Sequence, residues 1–445
     1  MSTSASEHLF DAGELFFSTT DTAGRIQRAN STFMRLSGYP RGSLVGAAHN
    51  VVRHPSMPAG LFRSIWDLLG EGKAVGAYVT NESADGGYYR VFATIIPCGD
   101  GYLSVRTLPM LTDLRDRVEG MYERVVAAEE QSRQAGSTRR EVAAKGKAAL
   151  NAELQQAGYH DVSDFTAQVM PAEIAALVSS GVELPTRPEA EGPVASILTR
   201  MDRIESDTAH VVNLLDVYAR LIELLRTRAT EINHLCQQVA SVRHSLRDAA
   251  TASKSGSLVE AWTGVEAQLL ESYEQLKPLA GQVEELRGDV NAVRFAVALV
   301  RLHNLMGGLF AAQLVDGVDE IGANDAVGAL GELCTALHDG AQNLALKLAI
   351  MDARADVVGG ELDAVAATLA DTHQPLMQAI QTAAADPAAR ADVLENLRSA
   401  AESMNARARD LADLARSCQG LAVDYDPDVL DQRLERIRED LAALS

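Results

Sequence analysis

The spacing of apolar residues changes once along this chain, near Pro109. Before that point they fall in short runs punctuated by turn residues. After it they recur at three- and four-residue steps to the end of the chain. In the first part, residues 14–20 predict a strand, Asp21-Thr-Ala-Gly24 a turn, and Arg25–Arg28 its partner strand. Asn30-Ser-Thr predicts a capped helix start that Gly38-Tyr-Pro40 stops, and residues 43–46 predict a further helical turn. Met57–Leu69 predicts a helix with Leu61, Ile65, Leu68 and Leu69 on one face, ended by Gly70 and Gly72. Strands follow over Val75–Glu82, Tyr88–Pro97 and Tyr102–Thr107, with Asp85-Gly-Gly and Cys98-Gly-Asp-Gly101 as the hairpin turns. Two strands, several small helices and then three strands make one five-stranded antiparallel sheet with helices on one face. That is an α+β domain over residues 1–109.

Beyond Pro109, Met110–Gln134 carries Leu111, Leu114, Val118, Met121, Tyr122, Val125 and Val126 at helical steps, which predicts an amphipathic helix leaving the last strand directly. Arg139–Ala157 predicts a second helix and Val162–Leu177 a third, interrupted at Pro171. Three prolines within 184–193 mark a linker, so 110–193 reads as a connecting helix and helical linker. From Val194 to Ser445 no strand pattern appears. Helices are expected at about 194–250, 257–312, 325–355, 358–384, 388–419 and 427–443. Breaks are expected at Ser253–Ser257, Gly317–Gly322, Gly359-Gly360, Asp386-Pro387 and Asp424–Pro427. Helices this long predict an all-α long-helix bundle or coiled coil over 194–445.

Composition narrows the function classes. The 445 residues are 47% hydrophobic and 23% charged, an ordinary globular balance, with most of the phenylalanines and half of the tyrosines in the first domain. A net charge of −21 without a clustered basic face excludes a nucleic-acid binder and gives no support for an anionic membrane surface. Cys98, Cys236, Cys334 and Cys418 are far apart and form no metal or disulfide pattern, which fits a reducing cytoplasm. Met1–Gly13 has no apolar core, so no signal peptide is expected. The most apolar segment, Ala292–Val315, carries Arg294, Arg301, His303, Asn304 and Gln313 and reads as a buried bundle helix rather than a membrane span. No nucleophile elbow, phosphate loop, zinc-protease motif or kinase set occurs, so no enzyme is expected.

The candidate chemistry gathers at His49–Pro58, His-Asn-Val-Val-Arg-His-Pro-Ser-Met-Pro. Pro55 and Pro58 exclude a regular helix or central strand there, so the segment is read as the irregular wall of a ligand pocket. Arg53 and His54 suit contact with a phosphate or an aromatic ring, or else they cap the segment itself. Asn30 is a pocket group or a helix cap, and Asn81 a pocket group or a strand-end turn.

Several runs together resemble the PAS domain of bacterial aerotaxis receptors over about residues 10–108. They are Phe17-Ser-Thr-Thr-Asp21, Ala29-Asn30-x-Thr32-Phe33, Ser37-Gly38-Tyr39, the His49–Pro58 run, Asn81, Gly86, Tyr89-x-Val91 and Ser104-x-Arg106-Thr107. The resemblance implies a sensory PAS fold and non-covalent FAD reporting redox state, with Asn30, Arg53, His54 and Asn81 at the cofactor. Two positions depart from the family's pattern: Ser56 stands where the family has Asp, and Val75 where it has a Trp against the flavin. Haem held by His54 or His49 is the minor alternative. The helical part is faintly similar to chemoreceptor signalling domains over Ala292–Gly317. Phe310-Ala-Ala-Gln-Leu-Val-Asp-Gly317 lacks the Glu and Arg of the receptor tip, so direct control of a chemotaxis kinase is not expected. The resulting expectation is a cytoplasmic sensor, homodimeric or larger, whose helix from Met110 carries the signal to a helical output and an unidentified protein partner. The alternative is a cofactor-free PAS dimerisation module on a helical scaffold.

Overall fold

The computed structural model describes residues 6–252, 256–317, 323–384, 391–420 and 427–444. Two compact units emerge. One comprises Met1–Asp216, Arg294–Ala345 and Tyr425–Ser445, and the other Val217–Val293 and Leu346–Asp424.

The first unit is built on an antiparallel sheet of β1 (Phe16–Asp21), β2 (Ile26–Ala29), β3 (Val75–Glu82), β4 (Tyr88–Cys98) and β5 (Gly101–Thr107), in the order β2-β1-β5-β4-β3. Between β2 and β3 lie α1 (Ser31–Ser37), α2 (Arg41–Leu44), a single 3-10 turn at His49–Val52, and α3 (Ala59–Gly70). The sequence explains these limits. The Asn30 carboxamide oxygen accepts from the Phe33 amide and caps α1, and Gly38 ends it in the left-handed region at φ 67°. Pro58 precedes α3, where a missing donor costs nothing.

Side chains alternate across the sheet. Cross-strand pairing puts Ser18 opposite Ser104, Phe16 opposite Arg106 and Ala93 opposite Arg106, so these residues share one face. That face looks towards α3 and the 3-10 turn. The opposite face is covered by helices of the same unit. Phe17 meets Phe310 edge-on at 5.0 Å between ring centroids, and Arg28 forms an ion pair with Glu332. The Gly76 amide donates to Thr166 Oγ1 at 3.0 Å, on α6 (Val162–Ser179). Before α6 come α4 (Thr112–Gln134) and α5 (Arg139–Gln156), the latter opened by a capping box of Thr138 and Glu141.

Beyond residue 192 the described residues lie mainly in five helices: α7 (Pro193–Ala252), α8 (Gly256–Val315), α9 (Ala323–Ala384), α10 (Ala391–Gln419) and α11 (Pro427–Ala442). The second unit takes its core from α7–α10. Ile232, Leu235, Val239 and Val242 on α7 are buried at three- and four-residue steps, as are Leu397, Ala401, Met404, Ala408 and Leu411 on α10. Arg354 on α9 reaches Asp289 on α8 at 2.5 Å. Among the described residues one helix, Trp262–Val315, is long and apolar enough to cross a membrane, and 89% of its most apolar window is buried within the protein.

Two expected interruptions are absent. Pro171 lies inside α6, which continues to Ser179 because Val169, Met170, Ile174 and Leu177 are buried on either side of it. Gly359-Gly360 lies inside α9. Glycine costs a helix only about 1 kcal/mol relative to alanine. At Gly359 a side chain would come within 3.3 Å of the Ala415 carbonyl, so the glycine admits close packing of α10. The expected break at Asp386-Pro387 lies outside the described residues, as do most of Ser253–Ser257, Gly317–Gly322 and Asp424–Pro427.

Candidate functional site: the cavity between the sheet and α3

The inner face of the sheet, the 3-10 turn and α3 enclose a cavity of about 340 Å³, within the ~300–1,000 Å³ usual for small-molecule sites. Its walls are mainly apolar: Phe62, Ile65 and Leu69 from α3, and Val79, Ala93 and Ile95 from β3 and β4. Trp66 stands at the edge, 41% exposed, with its ring edge-on to Tyr102 at 5.5 Å. Gly24, at φ +73°, lies under the indole, and a side chain there would come within 2.9 Å of it.

The polar groups converge from three elements. On β5, Ser104 and Arg106 point inwards. On β3, so does Asn81. From the 3-10 turn comes His49, whose ring stacks on Phe33 at 6.0 Å between centroids. Arg106 is 3% exposed. Its guanidinium donates to Ser18 Oγ at 3.1 Å, the Ser104 carbonyl at 3.3 Å and His49 Nε2 at 2.5 Å. Arginine only donates, so Nε2 must accept and the imidazole is neutral. Desolvation, helped by the Arg106 charge, pushes His49 down to about 3. Burial also lowers Arg106, to about 10, which leaves it charged at neutral pH. Two buried polar atoms on the lining have no protein partner, Asn81 Nδ2 and Ser104 Oγ. Orphaned donors of this kind are costly unless a bound molecule accepts from them.

Of the five positions singled out in the sequence, Arg53 and Asn81 reach the cavity, and their backbones form an isolated bridge. The Arg53 guanidinium lies 4.3 Å over the Phe62 ring and donates to the Met57 carbonyl at 2.6 Å. Asn30 is fully buried, but its Oδ1 is taken by the Phe33 amide and by the Phe17 amide at 3.3 Å; it ties α1 to β1 rather than lining the cavity. His54 is outside the cavity, its Nδ1 2.7 Å from Ser56 Oγ and its ring beside Tyr88. Val75 is fully buried opposite Ile95, on the cavity side of β3 but beyond the lining. With Nε2 of His49 occupied by Arg106 and His54 elsewhere, the haem alternative finds no support in this geometry.

Sequence reasoning passed over Ser104, Arg106, Phe62, Trp66 and Tyr102 as site residues. Ser104-x-Arg106 stood within the family resemblance, and strand alternation alone puts 102, 104 and 106 on one face.

Two buried glutamates join this domain to the helices that follow. Glu129 on α4 is 3% exposed and accepts from the Ala59 and Gly60 amides at 2.9 and 2.7 Å, capping α3 beside Arg53. Glu173 on α6 accepts from the Tyr78 hydroxyl at 2.5 Å and from the Met110 and Leu111 amides at 2.7 and 3.1 Å, at the start of α4.

Comparison with known proteins bears on a third of the chain or less. No protein-family model matches the sequence. A 95-residue stretch, 20% of this chain, is 40% identical to the aerotaxis receptor of Escherichia coli (strain K12). The match spans only 19% of that receptor's length. Among solved structures, the crystal structure of the Rhodobacter sphaeroides LOV protein is 18% identical, covering 33% of this chain and 92% of that one at a TM-score of 0.22. An RsLOV variant is 20% identical, covering 32% and 90% at a TM-score of 0.21. With the strand order and the site on the page, the N-terminal domain resembles the PAS domain of aerotaxis receptors in sequence and has a PAS-like five-stranded antiparallel sheet.

Proposed function

We propose that this chain is a cytoplasmic signal-transduction sensor whose PAS cavity holds FAD non-covalently and whose helices pass the redox state of that ligand to a protein partner. The observation that carries this reading is the chemistry of the cavity. An apolar slot with an aromatic edge at Trp66 suits a flat ring system, and Asn81 Nδ2 and Ser104 Oγ lack the acceptors that a heterocycle edge would supply. The likeness of a 95-residue stretch to an aerotaxis receptor agrees with it.

When bound, a flavin supplies a ring that takes up electrons and protons reversibly. The protein's part is to hold that ring and to respond to it. Arg53 and Phe62 form one wall, and the segment carrying them runs into α3. Glu129 holds the first amides of α3 from α4, so a shift of this wall is felt at α4. Transmission then requires two arrangements of that junction, of which the ligand favours one.

The test is the absorption spectrum of the purified full chain, as isolated and after incubation with FAD. A flavin spectrum is expected, with retention weakened by Arg53→Ala and by Asn81→Ala. A colourless protein that takes up no FAD rejects the reading. The second reading, a cofactor-free dimerisation module, is favoured by one feature: fully buried Val75 stands where the resembled family has a Trp, and valine offers a flavin neither an aromatic face nor an N–H donor. It predicts a solution mass that is the same under oxidising and reducing conditions and unaffected by FAD.

A further inference from the structure

We propose that Arg106 is the counter-ion of whatever occupies the cavity, and that it selects an occupant that carries negative charge or gains it on reduction. The proposal takes the identity of the ring from the flavin reading, but its electrostatic argument stands apart from it.

Two arginines are counted among the buried residues of the described chain, Arg106 at 3% exposure and Arg301 at 5%. Arg301 is paired with Glu205. The partners of Arg106 are all neutral: a hydroxyl, a carbonyl, an imidazole that must accept, and the faces of Phe33 at 5.0 Å and Phe16 at 5.8 Å. Among the described residues no carboxylate hydrogen-bonds to it, and the acidic group whose charge bears on it is the buried Tyr89 phenol, un-ionised at neutral pH. A cation taken out of water without an anion is costly, and it persists where function uses it. The side without a protein anion opens on the cavity, next to the orphaned Ser104 hydroxyl.

For a flavin the consequence is specific. Reduction takes two electrons from a donor of the dithionite or reduced-nicotinamide class, which is itself oxidised, and one proton, drawn from solvent with dithionite or carried in the hydride of a reduced nicotinamide. The neutral ring then bears one negative charge. Uptake of a second proton would discharge it. Arg106 stabilises the charged product over both neutral forms, so the reduced ligand binds more tightly than the oxidised one and the potential of the couple rises.

Arg106→Gln keeps a donor and removes the charge; Arg106→Lys keeps the charge. The full chain of each is titrated with FAD, oxidised and dithionite-reduced, and its midpoint potential is read by spectroelectrochemistry. Arg106→Gln is expected to lower the ratio of reduced to oxidised affinity at least tenfold, a fall of about 30 mV for a two-electron couple, while Arg106→Lys retains most of it. An unchanged ratio in Arg106→Gln overturns the proposal. Melting of the ligand-free variants gives an independent arm: Arg106→Gln is expected to melt above Arg106→Lys, because only the latter buries an unpaired charge. The reverse order means that the cation is structural and overturns the proposal too. If the parent chain takes up no FAD in either state, the flavin reading fails, and the ligand-free melting order decides the role of Arg106.

Discussion

Glu129→Gln tests the junction through which, on the proposed reading, a signal leaves the N-terminal domain. Both carboxylate oxygens of Glu129 are spent on the first amides of α3, and the side chain is 3% exposed. Close approach is possible because Gly60 and Gly146 face one another; a side chain at Gly60 would meet the Gly146 backbone at 2.1 Å. Glutamine keeps one acceptor but turns an amide N–H₂ towards a backbone N–H, so one charge-assisted hydrogen bond is lost, worth about 1.5–3 kcal/mol. The negative charge at the helix N-terminus goes as well, about 0.3–1 kcal/mol more. The expected local cost is therefore about 2–4 kcal/mol, which corresponds to roughly 30- to 1,000-fold faster opening of the α3 start. Hydrogen exchange at the Ala59 and Gly60 amides measures it directly. Glu130→Gln is the control. The Glu130 side chain is about half exposed, at 47%, and among the described residues pairs with Arg133 and Gln134 on its own helix, so its loss should stay within about 0.5 kcal/mol. If the two variants exchange alike at residues 59 and 60, Glu129 does not hold the junction and the proposed route from cavity to α4 fails.

Two further outcomes are expected. Tyr78→Phe removes the 2.5 Å bond to Glu173 and leaves one carboxylate oxygen with only the Leu111 amide; denaturant unfolding should show a loss of about 1.5–3 kcal/mol, since the acceptor is a buried acid. His303, 1% exposed on α8, is pushed down to about 4 by desolvation. Above pH 6.5 it is neutral in both states. As the pH falls from 6.5 towards 4 the unfolded chain takes up a proton that the folded one refuses, so stability drops by up to about 1.4 kcal/mol per pH unit. His303→Leu should flatten the slope of stability against pH over that window by one proton; an unchanged slope would show that the folded protein protonates this ring freely.

Much of the PAS domain was legible before folding because its signals are local. Asp85-Gly-Gly and Gly99 set the hairpins, Asn30 and Gly38 set the limits of α1, and short runs bounded by these turn signals drew β3, β4 and β5 within a residue of their limits. Pro55 and Pro58 announced an irregular segment, and residues 54–58 are outside helix and strand, while His49, Asn50 and Arg53 are the members of the stretch that line the cavity. Helix interruptions were over-read at Pro171 and Gly359-Gly360, because a breaker's local cost is small beside the burial of the helix face around it.

Side-chain direction was not legible. Arg53 and His54 are adjacent, so their side chains diverge, and the fold sends only Arg53 into the cavity. Val75 and Asn81 belong to the same strand face, yet one is packed under and the other lines the void. Arg106 looks ordinary in the chain; it becomes an unpaired buried cation only when β1, β4 and the 3-10 turn close round it. By itself the sequence determined the element order, the sheet and the change to long helices, since periodicity and turn chemistry act over neighbouring residues. The tertiary structure decided which polar groups face the void, which are satisfied and which are left over. Those are properties of residues far apart in the chain, and no local pattern encodes their meeting.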